Sequence, residues 1–598
     1  MERPRFEIAD CPRGEVERLE RELQVSGPIA QVLVRRGLGE PAQARAFLAA
    51  AEEHPPTAFA GIEQAIEPIL RHARSGERIT IHGDYDVDGI CSTAVLVRSL
   101  RRIGANVDWY LPDRASDGYG LNPKTVQRLA EQGTRLLVTV DCAITAVAEV
   151  AQARALGMEV VVTDHHAPRA DGALPDAPIV HPAICGYPCP ELCATAVAYK
   201  LAQALESAAA PRGSAREGRV LGAPRDSTRE GRALEEDLDL VALASIADVV
   251  RLVGENRTLV RRGLRALAGT AKPGLRALMS VARVDPGKLN ERSVAFALAP
   301  RLNAAGRMHR ADAGLELILT EDPARAAQVA QELDRANYER REVEMRIRYE
   351  AEAQIAALGE RSAYVLAGED WHAGVIGIVA SRLAERNGRP VVLIALDGEL
   401  GKGSGRSIEA FDLLAGLTAC GGHLRRFGGH RAAAGLEIER GQVEEFAAAL
   451  CAHAERVLRP ADMVAVERVD AVVEGDQLGM ELAEELLTLA PFGRGNPGVA
   501  LLVEDATFRD LRPMGEGKHV RFTLESGGAR ARGVAFGTGG GLPVDEGEAA
   551  EATFTLEVNE WKGVSEPRLV LRQARPSVRV SAGPAVAEEG ELVLFALS

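Results

Sequence analysis

Three short runs of β-branched and aliphatic residues in the first half of the chain are each followed at once by an acidic residue or a histidine. His82 follows ITI, Asp141 follows LLVTV and Asp164 follows VVVT. Helical periodicity fills most of the sequence between these runs, and this alternation predicts a largely parallel, doubly wound α/β sheet. Because binding sites in such sheets form at the carboxyl ends of the strands, we expect these polar residues to converge.

The size and composition of the chain indicate an ordinary globular protein with several domains. Its 598 residues suggest about three or four domains, and 46% are apolar and 26% charged. A net charge of -15 weakly disfavours non-specific nucleic-acid binding, although local patches and bound cations decide that question. Eight dispersed cysteines, a charged start without an apolar segment and no membrane-length apolar run predict a reduced, cytoplasmic protein.

Changes of pattern along the chain predict its domain organisation. The regions are a helical N-terminal region, 1–60; an α/β domain, 61–320; a long connecting helix, 321–360; a second α/β domain, 361–460; a small β-barrel such as an OB-fold, 461–580; and a C-terminal tail, 581–598. Within the first α/β domain, 206–232 is rich in Ala, Gly, Ser, Pro and Arg without periodicity. We interpret it as a mobile surface insertion rather than a phosphate-binding segment.

The polar residues at the predicted strand ends form a typical inventory of metal ligands. They are His82, Asp84, Asp86 and Asp88 in HGDYDVDG, Asp141, the triplet Asp164-His165-His166, and Asp248 in SIADVV. Carboxylates with imidazole and no thiolate pattern suit Mn²⁺ or Mg²⁺, and the set is large enough for two ions. The alternative is that the acids cap helices and that the histidines bond to their neighbours. That alternative suits one residue better than the whole combination.

A second candidate metal site is weaker. Cys185, Cys189 and Cys193 lie close together in CGYPCPELC. Two prolines disrupt a helical display of the thiols, and no fourth cysteine is near in sequence, so a metal cluster is disfavoured.

Four motifs resemble those of the DHH phosphoesterase superfamily and occur in the same order: HGDYDVDG, VTVDC, VVTDHH and SIADVV. Motifs further along resemble the branch of single-stranded-DNA exonucleases that carries a DHHA1 domain: PRLNAAGRM, WHAGVIGIVASRL, SGRSIEAFDLL and FGGHRAAAG. LAPFGRGNPG and the strand-rich segment after it resemble the OB-fold of that branch. The resemblance implies a DHH-type parallel sheet domain, a connecting helix, a DHHA1 domain and a C-terminal OB-fold.

The resemblance also implies roles for individual residues. The metal ligands would be His82, Asp86, Asp88, Asp141, His165 and Asp248. The catalytic residues would be His166, near the scissile phosphate or the leaving group, and Asp84 in a supporting role. The substrate-binding residues would be Arg114, Tyr119, Arg301, Asn303, Arg307, Ser404, Arg406, Ser407, Gly428, Gly429 and His430.

The chain departs from the family pattern at a few positions. Ala143 stands where the family usually has Gly, His181-Pro182 replaces Asn-Pro, and LCATAVAYK replaces a Gly-rich segment. None of these changes removes an expected metal ligand, so only the local loop geometry is expected to differ.

The function implied by the resemblance is metal-dependent hydrolysis of single-stranded DNA from the 5′ end, releasing mononucleotides in DNA repair and recombination. Its cofactors would be two divalent ions, Mn²⁺ or Mg²⁺. Expected partners are a single-strand-binding protein and a RecQ-type helicase, and the protein is expected to be a monomer. One alternative is a short-oligonucleotide or cyclic-dinucleotide phosphodiesterase, which the third domain disfavours. Another is a non-catalytic replication scaffold, which the complete ligand set disfavours.

Overall fold

The computed structural model describes residues 5–113, 118, 120–209, 234–308, 310, 312–464, 466–561 and 563–577. Arg114, Tyr119, the C-terminal tail 581–598 and all but the first four residues of the insertion 206–232 lie outside these described residues. Within the described part of the chain, no helix has both the length and the apolar character needed to cross a membrane.

The chain divides into two compact units. The larger unit comprises Arg45–Val464 and Leu489–Gly498, and the barrel unit comprises Met1–Ala44, Ala465–Thr488 and Val499–Ser598. The predicted boundaries place Leu489–Gly498 with the OB-fold, whereas in this division it belongs to the larger unit. The N-terminal elements are strand β1 (Arg5–Ile8) and helices α1 (Arg13–Leu23), α2 (Gly27–Arg35) and α3 (Pro41–Ala49).

The predicted parallel sheet is confirmed. The elements in chain order are α4 (Ile62–Ser75), β2 (Ile79–His82), α5 (Val87–Arg102), β3 (Val107–Tyr110), α6 (Pro123–Glu131), β4 (Leu136–Thr139), α7 (Val147–Ala155), β5 (Glu159–Thr163), β6 (Ile179–Val180) and α8 (Ala194–Ala209). The strand order is β3-β2-β4-β5-β6 and every pairing is parallel. The chain reverses its direction across the sheet between β2 and β4, where open α/β sheets bind their ligands.

Helices complete the first α/β domain. They are α9 (Leu238–Ala247), α10 (Gly254–Ala268), α11 (Pro273–Val281), α12 (Ala299–Met308) and α13 (Ala313–Leu319), with a π-helical stretch at Val294–Leu298 before α12. Helix α9 is apolar and buried along nearly its whole length, and Asp248 is the residue at its C-terminal end. The predicted connecting helix follows as α14 (Pro323–Leu358), whose 36 residues extend over about 54 Å.

The second α/β domain is a mixed sheet with helices on both faces. Its elements are β7 (Tyr364–Glu369), α15 (Ile376–Asn387), β8 (Val391–Asp397), β9 (Leu400–Arg406), α16 (Leu413–Ala419), β10 (Arg426–Gly429), β11 (Ala433–Glu439) and α17 (Val443–Val457). The strand order is β10-β11-β9-β8-β7, and only β7 and β8 pair in parallel. One face packs against α14 and α15, and the other against α16 and α17.

The barrel unit contains the predicted OB-fold. Its later elements are β12 (Val466–Val469), β13 (Ala471–Val472), α18 (Met480–Leu486), β14 (Leu501–Met514), β15 (His519–Ser526), β16 (Ala529–Ala535), β17 (Ala549–Trp561) and β18 (Val564–Pro576). Strands β14 to β18 close into a five-stranded barrel because β14 pairs with β17 as well as with β15. Strand β1 pairs in parallel with β12, so the start of the chain belongs to this unit.

A buried ion pair joins α8 to α10. The Nζ atom of Lys200 lies 2.6 Å from Oε1 of Glu255, and both side chains are fully buried. The Glu255 carboxylate also accepts hydrogen bonds from the His54 backbone N–H at 2.9 Å and from the Tyr187 hydroxyl at 2.8 Å. Such a network is costly to break on one side only, because the remaining charge is left buried.

We therefore predict that Lys200→Met destabilises the protein by about 3–5 kcal/mol, since it leaves the Glu255 carboxylate buried without its cation. The double variant Lys200→Met/Glu255→Gln removes both charges and should recover most of this loss. The measurement is the midpoint of urea unfolding for parent, single and double variants. Equal destabilisation of the single and double variants would contradict this account of the pair.

Candidate metal centre and active site

The loop after β2 is compact enough to bring its three aspartates together. A Cβ atom at Gly89 would lie 2.5 Å from the backbone N and O atoms of Asp84, so only glycine permits this approach. Asp86 caps helix α5, because its Oδ1 atom accepts hydrogen bonds from the backbone N–H groups of Asp88 at 3.0 Å and Gly89 at 3.1 Å. The cap uses Oδ1 of Asp86 and leaves Oδ2 available to a metal ion.

Asp88 is held by the start of helix α8. Its Oδ2 atom accepts a hydrogen bond from the Ala194 N–H at 2.7 Å, and Oδ1 accepts from the Thr195 N–H at 2.8 Å and the Thr195 hydroxyl at 2.6 Å. The positive end of the helix stabilises this buried carboxylate. Thr195 lies in LCATAVAYK, so this departure from the family pattern adds a hydroxyl bond to an expected metal ligand.

The turn after β4 adopts an unusual backbone. Asp141 has φ 61° and Ala143 has φ 82°, both in the left-handed region. At Ala143, where the family usually has Gly, this conformation costs about 1–2 kcal/mol. The turn buries Asp141 almost completely. Burial and the nearby charges of Asp88, Asp86 and Asp84 hold the pKa of Asp141 well above its ordinary value.

Asp164 organises the two histidines that follow it. Its Oδ1 atom accepts hydrogen bonds from the backbone N–H groups of His165 at 2.7 Å and His166 at 3.1 Å, and lies 2.8 Å from Nδ1 of His166. Its Oδ2 atom accepts from the Ile144 N–H at 2.9 Å. Asp164 belongs to the predicted inventory of metal-binding residues, but the roles implied by the family resemblance do not include it, although its place in the VVTDHH motif was a signal for one.

The two histidines have opposite electrostatic environments. Burial lowers the pKa of His165, which favours the neutral imidazole that a metal ion requires. Burial also opposes charge on His166, but the hydrogen bond and the charge of Asp164 outweigh it and raise the pKa of His166. Adjacent residues can therefore serve as a neutral ligand and as a proton donor.

His181 supports this loop from behind. Its ring nitrogen Nε2 lies 2.8 Å from the carbonyl oxygen of His166, and Nδ1 accepts hydrogen bonds from the backbone N–H groups of Ala183 at 3.2 Å and Ile184 at 3.3 Å. Since Nδ1 is an acceptor, Nε2 carries the proton and donates to His166. The histidine that replaces the usual Asn thus holds the loop in place.

Three groups of side chains could each hold a metal ion, with ligand atoms within 4.8 Å of one another. They are Asp84, Asp86 and Asp141; Asp88, His165 and Asp248; and Asp141, His165 and His166. Asp141 and His165 each belong to two groups, so the groups adjoin.

The shared histidine shows how close these ligands lie. The Nε2 atom of His165 is 3.2 Å from Oδ1 of Asp141, 3.8 Å from Oδ2 of Asp88 and 3.9 Å from Oδ2 of Asp248. Among the described residues, this buried atom has no hydrogen-bond partner. A buried nitrogen in this state beside carboxylates fits a divalent cation.

Asp248 and His82 complete the set of expected ligands. Burial, together with the charges of Asp88 and Asp86, raises the pKa of Asp248 to about 8. His82 is fully buried at the end of β2 and lies outside the three groups, with its Nδ1 atom 3.6 Å from Sγ of Cys142.

The three expected DNA-binding residues of α12 are engaged in contacts within the larger unit. Arg301 donates to Asp334 of α14 at 2.8 Å, and Asn303 Oδ1 accepts from the Val87 N–H at 3.1 Å. Arg307 donates to the Gly374 carbonyl at 2.8 Å. Arg307 also lines a cavity of about 770 Å³ between the two α/β domains, into which β9, β10 and β11 contribute residues.

The expected DHHA1 residues lie on and beside these three strands. Ser404, Gly435 and Gly428 form one row across β9, β11 and β10, and a Cβ atom at Gly428 would meet no other atom within 4 Å. Arg406 Nη1 donates to the Ser404 hydroxyl at 3.0 Å.

The remaining DHHA1 residues have mixed surroundings. Gly429 has φ 144°, and the backbone N–H of the exposed His430 donates to the Ala433 carbonyl at 2.8 Å. The Ser407 hydroxyl donates to the Phe411 carbonyl at 2.8 Å, so it supports the loop between them.

The three cysteines considered as a metal cluster, Cys185, Cys189 and Cys193, are buried thiols. The thiols of Cys185 and Cys193 have separate hydrogen-bonding partners, the Ile179 carbonyl and the Ser245 hydroxyl.

Acidic and imidazole ligands at the carboxyl edge of a parallel sheet, in a chain that also carries a second α/β domain, characterise the DHH class of metal-dependent phosphoesterases. Family models agree with this class. Residues 78–221 match the DHH family N-terminal domain, 359–456 the DHHA1 domain and 469–573 the RecJ OB domain.

Whole-chain comparisons identify the family within this class. The chain is 36% identical over 586 residues to the single-stranded-DNA-specific exonuclease RecJ of Bacillus subtilis, covering 96% of this chain and 71% of the relative. It is 36% identical over 540 residues to that of Escherichia coli, covering 87% of this chain and 91% of the relative. A crystal structure of Thermus thermophilus RecJ in complex with Mn²⁺ matches with a TM-score of 0.81 and 31% identity, covering 96% and 80%. A Mg²⁺ complex of the same protein matches with a TM-score of 0.75 and 29% identity, covering 96% and 78%. The chain belongs to the RecJ family.

Asp88 is stabilised by hydrogen bonds from α8, whereas Asp141 is buried among other carboxylates. Substitutions of these two residues should therefore change the stability of the metal-free protein in opposite directions. Asp141→Asn should raise the melting temperature at pH 8, because it removes a carboxyl whose charge is opposed by burial and by its neighbours. Asp88→Ala should cost about 1–2 kcal/mol, because the start of α8 loses its cap. Both variants should lose cleavage activity. Thermal melting in EDTA is the measurement, and melting temperatures that shift in the same direction would refute the distinction.

The raised pKa values also predict how pH affects the metal-free protein. Burial and like charges raise the pKa values of Asp86, Asp141 and Asp248 above the ordinary 3.8, that of Asp248 to about 8. Between about pH 4 and pH 8 the folded state therefore binds more protons than the unfolded state, and stability falls as pH rises through this window. Saturating Mn²⁺ should remove the decline, because it binds the deprotonated carboxylates. Melting curves across this range with EDTA or Mn²⁺ test this, and an EDTA series whose stability does not fall would contradict it.

Proposed function

We propose that this chain, a metal-dependent exonuclease specific for single-stranded DNA, removes mononucleotides from the 5′ end of its substrate. The observation that carries the proposal is the sharing of Asp141 and His165 between adjoining groups of ligands. Adjoining groups suit two ions that act on one phosphodiester.

The ligands divide between two neighbouring positions. Asp84, Asp86 and Asp141 would hold one ion, and Asp88, His165 and Asp248 the other. Mn²⁺ or Mg²⁺ bound there would activate water and neutralise charge on the scissile phosphate. His82, at the same edge of the sheet, would complete the set.

The proton that the reaction needs is assigned to His166. Asp164 raises the pKa of His166 and fixes its ring through Nδ1 at 2.8 Å. When water attacks the phosphorus, the bond to the 3′ oxygen of the terminal nucleotide breaks, and this oxygen takes a proton from the His166 imidazolium. The products are a mononucleotide with a free 3′ hydroxyl and a strand, one nucleotide shorter, that begins with a 5′ phosphate.

The polarity is assigned to the DHHA1 strands. Arg406, held by Ser404, suits a terminal phosphate because a guanidinium binds phosphate oxygens, and the space where Gly428 would carry a side chain is open. A 5′-terminal phosphate bound there would fix the first linkage over the metal ligands.

The cellular setting is proposed from the family resemblance. We assign the enzyme to DNA repair and recombination in the cytoplasm, acting as a monomer together with a single-strand-binding protein and a RecQ-type helicase. The free state of all eight cysteines is consistent with a reducing compartment.

Arg406→Ala should reduce the preference for a 5′-phosphorylated strand over a 5′-hydroxyl strand. The expected loss is about 2–3 kcal/mol of transition-state stabilisation, or roughly 30- to 150-fold in kcat/KM on the phosphorylated strand. Arg459→Ala is a matched control, because Arg459 is exposed and pairs locally with Asp462.

The measurement is kcat/KM for both strands, labelled at the 3′ end, in parent and variants. A parallel assay with 5′ and 3′ labels determines polarity. Full retention of the phosphate preference in Arg406→Ala would exclude the assignment of Arg406, and release of nucleotides from the 3′ end would exclude the proposed polarity.

A further inference from the structure

The segment Leu489–Gly498 contains the motif LAPFGRGNPG and interrupts the barrel unit. Its sequence neighbours on both sides belong to that unit, but the segment packs with the larger unit. The Leu252 N–H donates to the Arg494 carbonyl at 2.7 Å. Leu252 lies four residues after the expected metal ligand Asp248, so the tip of this segment is close to the metal centre.

Buried polar side chains hold the segment in one shape. Asn496, 1% exposed, donates through Nδ2 to the carbonyls of Leu489 and Pro491, both at 2.8 Å. Arg257, also 1% exposed, donates through Nη1 to the Leu489 carbonyl at 2.9 Å. Asn496 within the segment and Arg257 from α10 thus bind its backbone carbonyls with buried donors, which holds the loop rigid.

Glycines allow the tip to approach the chain after Asp248 closely. A Cβ atom at Gly493 would lie 2.8 Å from Cδ1 of Leu252. Gly495 has φ 78°, and a Cβ atom there would lie 3.2 Å from Cβ of Arg251. The two glycines that flank Arg494 therefore pack closely against Leu252 and Arg251, and this packing fixes the Cα position of Arg494.

The side chain of Arg494 contrasts with this rigid backbone. It is exposed, and within the described ranges its guanidinium makes no hydrogen bond or ion pair. It nevertheless attracts the Asp248 carboxylate electrostatically. Arg257, Arg301 and Arg307 all donate hydrogen bonds to protein atoms, so Arg494 differs from them in having its donors available.

We propose that Arg494 binds the phosphodiester backbone of the substrate strand on the 3′ side of the scissile linkage. This rests on the proposed function, which assigns the 5′-terminal phosphate to the DHHA1 strands. The strand must leave the metal centre on another side, and the rim next to Asp248 carries Arg494 on a rigid support. A fixed guanidinium there offsets the repulsion between the DNA phosphates and the aspartates.

The test uses Arg494→Ala and Arg494→Lys in the full chain. Arg265→Ala is the matched control, because Arg265 is an exposed arginine in the last turn of α10. The probe is a 5′-phosphorylated oligothymidylate. Its binding is measured by fluorescence anisotropy in EDTA over a range of salt concentrations, and its cleavage in Mn²⁺.

Arg494→Ala should weaken binding about tenfold and reduce the slope of log Kobs against log salt by about 0.7. KM should rise while kcat changes little. Arg494→Lys should recover most of the salt slope, because it restores the charge, and Arg265→Ala should match the parent.

A strand with one uncharged methylphosphonate identifies the phosphate involved. If Arg494 contacts a phosphate on the 3′ side of the scissile linkage, neutralising that phosphate should remove the difference between parent and Arg494→Ala. The inference is overturned if the two proteins bind and cleave alike. It is also overturned if their difference disappears only when the 5′-terminal phosphate is removed, or persists at every neutralised linkage. A parent that does not degrade the strand would instead refute the proposed function itself.

Discussion

Mutual repulsion among carboxylates is the constraint that shapes the centre of this protein. Asp84, Asp86 and Asp141 lie within one group of ligand atoms, and Asp88 and Asp248 form the next group with His165. Burial makes the repulsion worse, because water no longer screens the charges. The raised pKa values of Asp86, Asp141 and Asp248 express this cost in the metal-free protein. Divalent cations relieve it, so binding of metal and stability of this region are coupled.

The surrounding structure reduces the same cost without metal. The N-terminal end of α8 holds Asp88, and the start of α5 holds Asp86. Asp164 receives backbone N–H groups from two directions and in turn fixes His166. These contacts orient Asp86, Asp88 and His166 before an ion arrives, which favours a defined metal geometry over a flexible cluster.

Local pattern was sufficient to predict the sheet and the residues at its edge. His82, Asp141 and Asp164 each follow a buried strand, and the strand order puts the first two at the point where the sheet reverses direction. The roles of Asp164 and His181 were not predicted, because they depend on hydrogen bonds to backbone groups that a sequence pattern does not display. The position of Arg494 was missed for a different reason. Its motif lies between barrel segments in sequence, and only long-range contacts with Arg257 and Leu252 assign it to the larger unit.

The discontinuity of the barrel unit affects how the chain folds during synthesis. Strand β1 pairs with β12, and Arg36 of the N-terminal region forms an ion pair with Asp470 at 2.9 Å. Strand β1 and Arg36 therefore wait for partners that are made more than 400 residues later in the chain. At about 5–20 residues per second, that wait lasts on the order of 20–90 seconds. During this time the apolar face of α2, with Ile29, Val32 and Leu33, must be shielded in some other way. Until those partners are made, a nascent chain of this protein leaves apolar surface exposed that the complete chain buries.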